Sequence, residues 1–109
     1  MGYTIGYKEV VMMVRVYHFR DLSPEMQDAL TKYIKSHFTV HPSINPYVSA
    51  YGLMQPFIRT VRSEERITSR CFTEAMKLCG FRPRPIENTI HSEPNWRFNV
   101  YVLQTPRDL

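Results

Sequence analysis

The sequence predicts one α+β domain with elements in the order β-α-β-α-β-β. Three observations carry this. Ser23-Pro24 opens a segment of apolar residues at helical spacing, and Gly80 closes a second one. Two alternating stretches then flank Glu93-Pro94-Asn95-Trp96, which suits a type I turn with proline at its second position.

Residues 10–19 read as the first strand, rich in Val, Tyr and Phe. From Val14 the pattern alternates, with Val14, Val16 and His18 on one face and Arg15, Tyr17 and Phe19 on the other. The first helix starts after Ser23 as N-cap, with Pro24 at the first helical position. Met26, Leu30, Tyr33, Ile34 and Phe38 mark its buried stripe, and it should end before His41-Pro42. Pro42, Pro46 and Pro56 interrupt the apolar stretch 41–62, which reads as a loop or helical turn followed by a strand at Phe57–Val61. The second helix is expected from Ser63 to Cys79, with Glu64 and Glu65 in its first turn and Gly80 just past its end. Strands over 86–91 and 96–103 complete the chain, and the tail after Pro106 should fray. If the last two strands count as the third and fourth, the order fits a ferredoxin-like two-layer sandwich.

A chain of 109 residues fits a single domain over 1–109, and 43% hydrophobic with 22% charged residues is ordinary for a globular protein. The longest apolar run, Val10–Val14, is broken by Arg15, so no membrane span or membrane partner is expected. The first residues show no basic segment followed by an apolar one, and Gly6 stands where a myristoylation pattern needs Ser or Thr. Cys71 and Cys79 fall eight residues apart in the second helix, about 12 Å along its axis and too far for a disulfide. Two free thiols point to a reducing, cytoplasmic setting.

Chemistry-bearing motifs are scarce. His37 and His41 are four apart, but His41 precedes Pro42, and no HExxH or CxxC occurs, so no metal and no cofactor are expected. Gly-x-Ser-x-Gly is missing, and four glycines at 2, 6, 52 and 80 build no phosphate loop. The glycine-rich anion loop that acylphosphatases carry after their first strand is replaced here by His18-Phe19-Arg20-Asp21-Leu22. His91, Glu93 and Arg97 could meet at the hairpin, although a polar turn explains them more simply. The expectation is a protein that is not an enzyme.

Fourteen Lys plus Arg against ten Asp plus Glu give +4 and a pI near 9.3. On the second helix, Arg66, Arg70 and Lys77 fall within about 40° of one another, with Arg59 and Arg62 upstream. This stripe could follow a phosphate backbone, or be the solvated face of an amphipathic helix with Glu74 supporting Arg70 and Lys77. Opposite it, Ile67, Cys71, Ala75 and Leu78 form the apolar arc, extended by Phe72 and Cys79. A second candidate is a sheet face carrying Arg15 and Tyr17 from the first strand and Arg97, Asn99 and Tyr101 from the last. Such a face could stack unpaired bases, but the aromatic octamer of RNA-recognition motifs is missing, and Tyr and Arg also dominate protein hot spots. Met12, Met13 and Met54 with Tyr47, Tyr51 and Phe57 could form an exposed apolar patch or simply core.

The best-fitting function is a small non-enzymatic binding protein, a regulator or inhibitor that docks on a larger protein or complex. The alternative is a nucleic-acid-binding module using the basic stripe and the Arg/Tyr face. An uncovered sheet edge or face would be the natural place for self-association.

Overall fold

The computed structural model describes residues 13–87 and 93–103. Among these are six short strands and three α-helices: β1 (Val14–Val16), α1 (Pro24–His37), β2 (Phe38–Val40), α2 (Ala50–Thr60), β3 (Glu65–Ile67), α3 (Ser69–Leu78), β4 (Pro83–Pro85), β5 (Trp96–Phe98) and β6 (Val100–Val102). A 3-10 turn at Phe19–Asp21 links β1 to α1. The α+β class agrees with the sequence, but the order is β-α-β-α-β-α-β-β-β rather than β-α-β-α-β-β.

α1 forms as its residues dictate. Ser23 Oγ accepts from Met26 N at 3.3 Å, Pro24 takes the first helical position, and Met26, Leu30 and Ile34 are buried. Phe38 is also buried, but it lies one residue beyond the helix, in β2.

Two expectations around α2 and α3 are corrected. Residues 57–61 are not a strand. Residues 57–60 complete α2 and Val61 is its C-cap, while Ser49 caps the start by accepting from Gly52 N at 3.4 Å. Ala50, Leu53, Met54 and Phe57 recur at i, i+3, i+4 and i+7 and are all buried. Pro56 hid this period because it sits inside the helix, where it can donate no hydrogen bond to the Gly52 carbonyl. The next helix does not start at Ser63. Ser63 Oγ accepts from Glu65 N at 3.0 Å, Glu65–Ile67 is a strand, and the true N-cap is Thr68, whose Oγ1 accepts from Cys71 N. The buried arc also differs from the expected one: Cys71, Phe72, Ala75 and Met76 are buried, whereas Leu78 is 69% exposed. Gly80 follows the helix with φ +98°, as a closing glycine should.

The sheet is divided into three two-stranded pieces. β1 runs parallel to β3 with Arg15 opposite Arg66, β2 runs antiparallel to β6, and β4 runs antiparallel to β5. The start of the expected first strand, 10–12, and most of the expected strand 86–91 lie outside the described residues, as do His91, Met12 and the tail after Pro106. A C-terminal antiparallel pair exists, but its first strand is Pro83–Pro85, with Pro85 opposite Trp96, so the pair is not closed by a tight turn at 93–96.

The expected strand 96–103 breaks at Asn99, and alternation breaks with it: Phe98, Asn99 and Val100 are all buried. Asn99 Oδ1 accepts from Arg82 N at 2.6 Å, and its carbonyl accepts from His41 N at 3.0 Å. One residue thus ties the segment before β4 to the segment after β2.

Phe72, Phe98, Leu30, Ile34, Met76, Val100 and Cys71 are the largest fully buried side chains. They place the core where α3 packs against α1 and α2. No helix among the described residues is long and apolar enough to cross a membrane.

Candidate binding site

The parallel pairing of β1 with β3 builds the most distinctive surface. Arg15 and Arg66 are direct neighbours across this pair, and residues at one register point share a face. Tyr17, two residues on, joins that face and is 48% exposed. The Arg15 guanidinium lies 5.8 Å from the Tyr17 ring centroid, within cation–π range, and it also pairs with the Glu93 carboxylate.

α3 starts immediately after β3 and sets Arg70 in its first turn. Arg70 stands 5.8 Å over the Trp96 ring. Arg15, Tyr17 and Arg70 therefore line two adjoining clefts. One, of about 650 Å³, also takes in Val14, Asp21, Glu64 and Glu65. The other, of about 350 Å³, adds Thr68, Ser69, Glu93 and Pro94.

Two carboxylates hold the rim in place. Glu65 accepts from Ser23 N at 3.0 Å and from Ser23 Oγ at 2.9 Å. It does lie at a helix N-terminus, as its sequence position suggested, but at that of α1. Glu74 does not support Arg70 or Lys77. It accepts from Phe19 N at 2.8 Å and meets His18 Nδ1 at 2.9 Å, fixing the 3-10 turn onto α3. Burial works to raise the Glu74 carboxyl, but the Phe19 and His18 hydrogen bonds and the His18 and Arg20 charges outweigh it and hold the group below its usual range.

Arg66, beside Arg15, lies on a strand rather than a helix. The other expected site residues are dispersed. Arg62 is exposed in the connection before β3. Lys77 shares the exposed face of α3 with Arg70 but stands about 10 Å further along the axis. Arg59 ends α2 beside a different groove. Arg97 donates to the Pro46 carbonyl at 2.6 Å and so clamps β5 to the preceding loop. Exposed Tyr101 packs against His41, with ring centroids 5.8 Å apart. Because β1, β5 and β6 belong to three different sheets, Arg15 and Tyr17 do not share one sheet face with Arg97 and Tyr101. Asn99 is buried rather than presented on it. The Met and Tyr patch also divides: Met54 and Phe57 are core, while Met13, Tyr47 and Tyr51 are exposed.

Neither thiol is activated. Burial, reinforced by Glu74 and Glu65, pushes Cys71 up to about 12, and burial also raises Cys79. Among the described residues no three His, Cys, Asp or Glu side chains converge as metal ligands would.

Sequence reasoning missed Asp21 and the Glu64–Glu65 rim beside Arg15, and Trp96 beneath Arg70. Reading 65–67 as helix concealed the pairing that brings them together. Comparison of the chain with family models, curated proteins and solved structures gives no match.

Proposed function

We propose that this protein is a small non-enzymatic regulator or inhibitor that docks on a larger protein, and that the β1–α3 clefts are its contact surface. The observation behind this reading is the mixed charge of the site. Arg15, Tyr17 and Arg70 present guanidinium groups and an exposed aromatic ring, while Asp21, Glu64 and Glu93 stand on the same rim beside apolar Val14. A protein surface can match both signs at once and bury the aromatic and aliphatic parts between them. A polynucleotide would bring its phosphates against those carboxylates. Tyr, Trp and Arg are also the residues that most often carry interface energy. Both thiols are free, which fits a reducing compartment.

The neighbouring Arg15 and Arg66, with Tyr17 on the same face, favour a second reading as a single-stranded nucleic-acid module. Capture of partners from nuclease-treated native extract separates the two. The docking reading expects one stoichiometric protein to survive nuclease, to be lost with Arg15→Ala/Tyr17→Ala/Arg70→Ala, and to be kept with Lys77→Ala. Loss of every partner on nuclease treatment, together with oligonucleotide affinity that falls steeply with salt, would replace it by the second reading.

A further inference from the structure

A different groove, sharing no lining residue with the β1–α3 clefts, carries its own chemistry. It lies between the C-terminal turns of α1 and α2 and the end of β6, and it encloses about 400 Å³, within the usual range of small-ligand sites. Tyr33 forms its aromatic floor: His37 lies 4.6 Å, Phe57 5.5 Å and Phe38 5.6 Å from that ring, centroid to centroid. Leu53, Val102 and Leu103 extend the apolar wall.

The polar groups of the floor are already engaged. Tyr33 Oη donates to the Leu53 carbonyl at 2.6 Å, and His37 Nδ1 meets the Tyr33 carbonyl at 2.9 Å. Burial pushes the Tyr33 phenol up to about 12 even though the Arg59 charge works the other way, so this ring offers Arg59 no anion at neutral pH. Among the described residues, Arg59 on the groove has no salt-bridge partner and no carboxylate side chain lines the groove. The β1–α3 clefts, by contrast, are rimmed by carboxylates. Both helices end here, and their carbonyl ends contribute partial negative charge. Leu103 N donates to the His37 carbonyl at 2.8 Å and Val61 N to the Phe57 carbonyl at 3.0 Å, which leaves the full charge of Arg59 dominant.

We infer that this groove binds a small organic carboxylate with an apolar body, the body lying on Tyr33 and Leu53 and the carboxylate paired with Arg59. The anion supplies Arg59 with a partner that no described residue provides, and the apolar wall supplies what a free inorganic anion could not use.

Calorimetric titration of the full chain tests this with octanoate, 4-phenylbutyrate and the neutral analogue 1-octanol. Octanoate or 4-phenylbutyrate should bind saturably, and the stronger of the two tells whether the body is aliphatic or aromatic. Exposed Arg59→Gln should weaken the carboxylate about tenfold or more while leaving 1-octanol unchanged, as expected for loss of a charged hydrogen bond. Gly52 lines the groove, and a Cβ there meets only Ser49 Oγ at 3.8 Å, so Gly52→Leu can fold and should abolish binding by filling the space. Absence of saturable carboxylate binding at millimolar concentration would overturn the inference. So would equal affinity in Arg59→Gln, which would make Arg59 a charge that complements the end of α2 and nothing more.

Discussion

Single side chains connect elements that lie far apart in this sequence. Asn99 is 3% exposed and holds the Arg82 amide, while its own carbonyl takes the His41 amide. Asn99→Ala removes the acceptor from Arg82 N and leaves a gap in the core, so it should cost about 1–3 kcal/mol in denaturant unfolding. Glu74 acts through charge. Its carboxyl titrates below its ordinary value near 4.5 in the folded chain, so the ionised group stabilises the fold above that value. This contribution is lost as pH falls from there through the folded pKa. Glu74→Gln should therefore flatten the loss of thermal stability over that acidic window, while being less stable than wild type at neutral pH. Neither role was legible in the sequence. Asn99 reads as one more outward residue of an alternating strand, and Glu74 reads as an i,i+4 partner of its own helix, because both bonds cross more than ten residues of chain.

Local capping decides which elements were legible. α1 carries its signals within four residues, Ser23, Pro24 and the spacing that begins at Met26, and it forms where they say. α2 carries an equally regular apolar period, but Pro56 and the flanking prolines read as loop punctuation. At the β3–α3 boundary Ser63 reads as the cap, and it does accept from an amide, that of Glu65 ahead of the strand, while Thr68 accepts from Cys71 in the helix itself. Pairing with β1, a tertiary contact, settles 65–67 as strand. Two glycines test this element account in opposite directions. Gly52 is helical with room for a methyl, so Gly52→Ala should stabilise by about 0.5–1 kcal/mol. Gly80 sits at φ +98°, where a Cβ is strained although the space is open, so Gly80→Ala should destabilise by about 1 kcal/mol. Chemical denaturation of the two variants beside wild type measures both signs.

At the scale of the molecule, the α+β class follows from the element signals, while the arrangement of strands does not. Three-residue strands leave little periodicity to read, and prolines at 83 and 85 remove two amide donors from β4, which suits it to a short edge. The division into three small sheets separates Arg97 and Tyr101 from Arg15 and Tyr17, and the same topology sets Arg15, Tyr17 and Arg70 on the β1–α3 clefts with Arg66 next to Arg15 across the strand pair. Four of the nine residues singled out by charge and aromatic character thus meet, beside acidic neighbours that chain order did not announce. The central claim, that this end is a protein-docking surface, is tested most directly by photo-cross-linking from position 17. A benzophenone amino acid replacing Tyr17 should, on irradiation in native extract, join the chain to one protein species, and the same group replacing exposed Tyr47 should not. Cross-links to nucleic acid, or an identical scatter of products from both positions, would contradict the account.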